Sequence, residues 1–166
     1  LAAEEHLLRI AAAGGMQAVV VRPPLVYGPR VRGNFLSLLK LCRWAPPLPL
    51  AAVDNRRSLV FVGNLCEVLA RALERAEAAG QVFLVRDGED VSTPELIRRL
   101  ARALQRPARL FPAPAGLIRL ASRLVGRPAA AARLLDTLVG YDEKVRLDLR
   151  CTPAYGMVEG LAETAA

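Results

Sequence analysis

The sequence predicts an α/β fold, on three observations. Residues 1–13 read as an amphipathic helix that passes through Gly14-Gly15 into the β-branched triplet Val19-Val20-Val21. Helix, short loop and valine-rich strand in that order form the second half of a strand–helix–strand unit. The strand then breaks at Pro23-Pro24 and the chain turns away at Tyr27-Gly28-Pro29, and open α/β sheets place ligands at such carboxyl ends. Beyond this point, short apolar runs alternate with helical spacings, which describes a small mixed subdomain.

Composition narrows the class. The chain has 166 residues, 53% hydrophobic and 23% charged, enough for one domain with a real core and too apolar for disorder. No apolar run approaches the roughly 18 residues of a membrane helix, so no membrane insertion is expected. The net charge is +7 with only 5% aromatic residues. Basicity alone suggests nucleic acid, but stacking residues are scarce. Solvated arginine faces, or a small anion such as a pyrophosphate, account for the charge equally well, and no nucleic-acid partner is expected. Cys42, Cys66 and Cys151 are far apart, which suits a reducing cytoplasm better than a disulfide framework. With one histidine, His6, in a helix, no metal site is expected.

The elements follow in order. In the first helix Leu7, Leu8 and alanines share a face opposite Glu4, Glu5 and Arg9, and glycine ends it. The strand is expected over 17–21, and the two prolines are expected to forbid further sheet pairing. Gly33-Asn34 opens a helix through Phe35, Leu38, Leu39 and Cys42. Pro46, Pro47 and Pro49 force an extended run, and Asp54-Asn55 reads as a turn. Residues 58–62 form a strand, 65–78 a helix, and 82–85 another buried strand before an Asp87-Gly88 turn. Ser92, with Glu95 three residues on and Pro94 between them, is an N-cap signature, starting a helix to about Gln105. A short extended piece is expected at 109–111, helices over 115–125 and from Pro128 to about Val139, an extended piece at 145–147, and a last helix over 157–164.

Five stretches carry a family resemblance. Val21-Arg22-Pro23-Pro24-Leu25-Val26-Tyr27-Gly28-Pro29 resembles an RPxxVYGP segment, and Gly33-Asn34-Phe35-Leu36 a GN helix start. Residues 57–65 resemble a strand element led by arginine, and 83–96 a strand followed by a helix start. Asp142-Glu143-Lys144-Val145-Arg146, with Leu149, Pro153 and Glu159-Gly160-Leu161, resembles the closing D-x-K-x-R pattern. In this order they resemble the C-terminal half of an extended short-chain dehydrogenase/reductase, in its NAD-dependent epimerase/dehydratase branch.

The resemblance implies a Rossmann-like parallel sheet, of which residues 1–32 would be the last helix and strand of the dinucleotide-binding domain. Residues 33–166 would be mostly a small α/β substrate-binding subdomain. It implies NAD or NADP as cofactor, a nucleoside-diphosphate sugar as substrate, and a homodimer in the intact enzyme. No G-x-G-x-x-G loop occurs here, and the family's catalytic Tyr and Lys would lie before Leu1. The chain is therefore expected to be an inactive fragment of a longer enzyme, with binding residues and no catalytic ones. Pro23, Pro24, Leu25 and Val26 would lie against the nicotinamide. Leu25 would also face the sugar, Asn34 and the backbone of Phe35 would meet the pyrophosphate, and Arg57 would clamp it. Tyr27 would pack at the strand end, and Arg56 would be a solvated surface charge. Leu25 stands where 4-epimerases of the family carry Asn, and relatives that reduce or dehydrate 4-keto sugars often have an apolar residue there. A 4-keto-sugar reductase or dehydratase is thus the alternative enzyme, and a non-catalytic nucleotide- or protein-binding module the alternative of another class.

Overall fold

The computed structural model describes residues 2–124, 126 and 128–166. The helices are α1 (Ala2–Ala13), α2 (Gly33–Trp44), α3 (Val62–Glu74), α4 (Thr93–Ala103), α5 (Ala115–Leu124), α6 (Pro128–Leu135), α7 (Glu143–Asp148) and α8 (Met157–Ala165). The strands are β1 (Val20–Arg22), β2 (Leu25–Tyr27), β3 (Arg57–Phe61), β4 (Val82–Leu84) and β5 (Asp90–Val91). Val125, the expected end of the fifth helix, lies outside the described residues.

Pro23-Pro24 reorganises the pairing instead of ending it. β1 pairs in parallel with β4, Val21 opposite Phe83. Pairing resumes at Leu25, where β2 runs parallel to β3 with Val26 opposite Val60. A proline loses only its own N–H and its fixed φ suits extended backbone, so the ladder is interrupted for two residues and then changes partner. Across from it the chain after β4 makes the same shift: Val85 N–H donates to Arg22 O at 3.4 Å, and Asp87 N–H to Leu59 O at 2.9 Å. β5 adds antiparallel to β3, with Ser58 opposite Asp90. Strands on either side of residue 32 are therefore bonded to one another.

Period-two alternation along these strands feeds two cores. Leu25, Tyr27, Leu59 and Phe61 pack with Phe35 of α2, Leu96 and Leu100 of α4, and Met157 and Leu161 of α8. Val26 and Val60 face the other way and pack with Val68 of α3, Phe83, Val85 and Val145.

Four expectations are corrected. The first strand covers 20–22, not 17–21. α3 starts at Val62, directly after β3, and ends at Glu74, with a 3-10 turn at Ala76–Ala78. Residues 145–147 are helical: Val145 and Leu149, four apart, are both buried while Leu147 is 69% exposed, so the period is four rather than two. α6 likewise stops at Leu135, and Leu138 instead forms a bridge with Arg57. There Ser58 N–H donates to Leu138 O, and Leu138 N–H to Arg56 O, both at 2.8 Å. The Ser92 cap is present, its hydroxyl accepting from Glu95 N–H at 3.3 Å. The extended pieces at 46–49 and 109–111 pair through Leu48 and Leu110.

Candidate functional site

The carboxyl ends of β2 and β3 are held by one buried carboxylate, Asp87. Tyr27 Oη donates to Asp87 Oδ2 at 2.7 Å. Phe61 N–H donates to both oxygens at 2.9 and 3.0 Å, and Asn64 Nδ2 to Oδ1 at 2.8 Å. Asn64 lies in the first turn of α3, so the carboxylate sits where the helix dipole favours negative charge. The same amide donates to Tyr155 O at 2.9 Å and its oxygen accepts from Tyr155 N–H at 3.0 Å, which ties down the approach to α8. Burial, and then the Asp87 hydrogen bond, push the Tyr27 phenol far above its ordinary range. Tyr27 is thus a permanent donor that stacks on Phe35 at 5.5 Å. Its role is packing plus this one bond.

The segment after α6 is anchored just as firmly. Asn55 Nδ2 donates to Leu134 O at 3.2 Å and Asp136 O at 3.1 Å, and Thr93 N–H donates to Asn55 Oδ1 at 2.8 Å. Ser58 Oγ donates to Asp90 at 2.6 Å and accepts from Gly140 N–H at 2.9 Å. Arg86 reaches both Asp90 and Asp142, at 3.2 and 2.9 Å. These bonds bring residues 138–140 over the proline break. Arg22, Pro23, Pro24, Leu84, Val85 and residues 138–140 line an open cleft of about 180 Å³. Arg22 also forms a two-point ion pair with Glu4 of α1.

Of the residues expected at the site, Pro23 and Pro24 line this cleft, whereas Leu25 and Val26 pack towards the two cores. Asn34 is exposed in the first turn of α2, and its Oδ1 accepts from Arg133 of α6 at 3.1 Å. The N-cap there is Arg32, with no side-chain cap bond, so the first N–H groups of α2 have no side-chain acceptor at that position. Phe35 is fully buried, backbone included, with its ring stacked on Tyr27, so the expected contact of its backbone with a pyrophosphate is closed off here. Arg57 is half-buried on β3. Burial lowers the pKa of its guanidinium, and the nearby Asp136 carboxylate opposes that shift. Arg56 is 71% exposed and reaches Asp90 at 3.3 Å. The structure thus brings both Asn34 and Arg57 to the end of α6, one through Arg133 and the other through Asp136.

Sequence reasoning passed over three participants. Asp87 was legible only as a turn former, although a carboxylate directly after a buried strand needs a partner. Arg133 gave no sign beyond its charge, and residues 138–140 were assigned to a helix end. The cleft has an edge of two prolines and mainly apolar walls. Among the described residues, no cluster of three or more His, Cys, Asp or Glu side chains is arranged to hold a metal.

Comparison with known proteins agrees with this architecture. The chain is 38% identical over 164 residues to UDP-glucose 4-epimerase of Vibrio cholerae, a match covering 98% of the chain and 50% of that protein. It therefore spans half the length of this relative. The structure of RMD from Pseudomonas aeruginosa complexed with NADPH superposes with TM-score 0.71 at 20% identity, over 99% of this chain and 52% of that one. UDP-glucose 4-epimerase of Thermotoga maritima with UDP-glucose does so with TM-score 0.68 at 19% identity, over 98% and 49%. These two likenesses establish the α/β fold. The model of the NAD dependent epimerase/dehydratase family matches residues 1–85, a stretch that contains α1, the proline break, β3 and α3; the chain belongs to that family.

Proposed function

We propose that this chain is the substrate-binding half of an NAD(P)-dependent nucleotide-sugar epimerase that works as a UDP-sugar 4-epimerase does. The observation that carries this is the 38% identity to the Vibrio cholerae enzyme across 98% of the chain. Local geometry supports it. Pro23 and Pro24, with the backbone at Leu25 and Val26, form the edge on which a nicotinamide ring of NAD or NADP rests. Asn34 and Arg57 take the diphosphate of the sugar nucleotide. Arg133, bonded to Asn34, adds a second cation at that point. The bound nicotinamide supplies a hydride acceptor and donor for a sugar carbon. This chain's residues bind and orient the substrate and exclude water. None of them moves a proton: Tyr27 is buried and bonded to Asp87. The intact enzyme pairs as a homodimer. A 4-keto-sugar reductase or dehydratase is the second reading, favoured by Leu25 in place of an asparagine amide.

The test is calorimetric titration of UDP-glucose and UDP-N-acetylglucosamine into the 166-residue chain, with product followed by NMR. Binding without turnover is expected. Arg57→Ala weakens it roughly ten-fold or more, as loss of a charge-assisted hydrogen bond does. No binding of either sugar nucleotide, or affinity unchanged in both Arg57→Ala and Asn34→Ala, refutes the site. Measurable turnover refutes the assignment of binding residues alone.

A further inference from the structure

A second unusual surface lies on α5. A surface helix normally turns its apolar stripe inwards. α5 has no buried residue among those described. Ile118 alone of its large apolar residues packs against the core. Leu117, Leu120 and Leu124 fall at i, i+3 and i+7 on one stripe and are 60%, 54% and 81% exposed. Phe111, just before the helix, is 46% exposed. Such a patch marks an interaction surface.

Charge identifies the occupant. Residues 106–135 contain six arginines, Arg106, Arg109, Arg119, Arg123, Arg127 and Arg133, and no Asp, Glu or Lys. One third-turn round α5 from the leucines, Arg119 and Arg123 line an open cleft of about 320 Å³ with Ser122, Ala129 and Ala132 of α6. Arg119 is paired with Asp136 at 2.7 Å, and Arg106, Arg109 and Arg123 are exposed. An exposed leucine stripe beside a strip of arginines is the pattern of a helix lying in a membrane interface, its apolar side among acyl chains and its cations among headgroups. A second copy placed stripe to stripe would bring like charges together. Nucleic acid would leave the aliphatic leucines without a partner, because bases stack on aromatic rings.

We propose that α5, with the basic segment around it, docks this chain on an anionic lipid surface. The contact is peripheral, since among the described residues no helix is long and apolar enough to cross a membrane. Leu117, Leu120, Leu124, Arg106, Arg109 and Arg123 are none of the residues proposed to hold the sugar nucleotide.

Co-sedimentation tests this with the full chain and vesicles of phosphatidylcholine alone, or with about one-third phosphatidylglycerol. Binding to the anionic vesicles is expected to exceed that to neutral ones by roughly ten-fold or more, and to fall as salt shortens the Debye length from about 10 Å at 0.1 M to 3 Å at 1 M. The triple variant Leu117→Ser/Leu120→Ser/Leu124→Ser changes exposed residues only, and circular dichroism checks that it stays folded. It is expected to lose roughly ten-fold or more of the vesicle binding, and Arg109→Gln/Arg123→Gln to lose the preference for anionic lipid. No binding to either vesicle overturns the proposal. So does equal binding by wild type and the leucine variant, which identifies adsorption through charge alone. A lipid-free dimer that the leucine variant dissolves identifies a second copy instead. Duplex DNA binding that survives the leucine changes and displaces vesicles also overturns the proposal.

Discussion

Replacing Asp87 with alanine removes the acceptor on which three elements, β2, β3 and α3, converge. Tyr27 Oη from β2 and Phe61 N–H at the end of β3 lose their acceptor, and Asn64 Nδ2 in α3 loses one of its two. Through Asn64 the loss extends to Tyr155 and the entry to α8. Tyr27 is 1% and Asn64 2% exposed, so water reaches these donors only through the space the side chain vacates. At about 1–3 kcal/mol for each unsatisfied buried donor, discounted for partial hydration, the expected destabilisation is about 3–5 kcal/mol. Tyr27→Phe removes one charge-assisted bond and leaves the carboxylate its other donors, at about 1–2 kcal/mol. The two changes share a bond, so a double-mutant cycle between them should show coupling of about 1.5–3 kcal/mol. Urea unfolding followed by far-UV circular dichroism gives all four corners. Asp87→Ala within about 0.5 kcal/mol of wild type, the range of ordinary surface changes, would refute the hub. Strict additivity of Tyr27→Phe and Asp87→Ala would refute the bond itself.

Three further outcomes follow from the packing and from the thiols. Gly28 has φ +152°, and a Cβ there would lie 2.5 Å from Val62 Cγ1. Backbone strain and clash together predict that Gly28→Ala costs about 2–3 kcal/mol, a Tm fall of about 5–10 °C for a chain of this size. Adding Val62→Ala should recover only the steric part, and full recovery would exclude the backbone contribution. Burial pushes the Cys42 thiol from 9.0 up to about 11. The unfolded thiol therefore ionises first. As pH rises from 9 to 11 the unfolded chain binds fewer protons than the folded one, and stability falls by about 2–3 kcal/mol. Cys42→Val should flatten that limb, and an unchanged difference between the two proteins across the window would refute it. In the folded protein, exposed Cys66 should react with a disulfide reagent well before the buried Cys42 and Cys151.

Local chemistry by itself determined much of this protein. The Gly14-Gly15 stop, the Ser92 cap and the valine-rich strands are decided within a few residues by backbone freedom, capping and apolar periodicity, and they were legible without a structure. So was family membership, because the order and spacing of several short segments survive as a linear pattern. Residues 145–147 show the limit: Val145, Leu147 and Leu149 alternate in sequence, but only the first and last meet a core, so the helical period emerges from packing. The site depended still more on tertiary structure. Pro23-Pro24 removes two donors, which sequence shows; that the chain then exchanges β4 for β3 as its partner depends on where the other strands lie. Arg133 is 99 residues from Asn34 in sequence, and Asp87 gathers its donors from β2, β3 and α3. No local propensity encodes such long-range hydrogen bonds. They form because burying a polar group without a partner is costly, and only the packed fold determines which partner lies within reach.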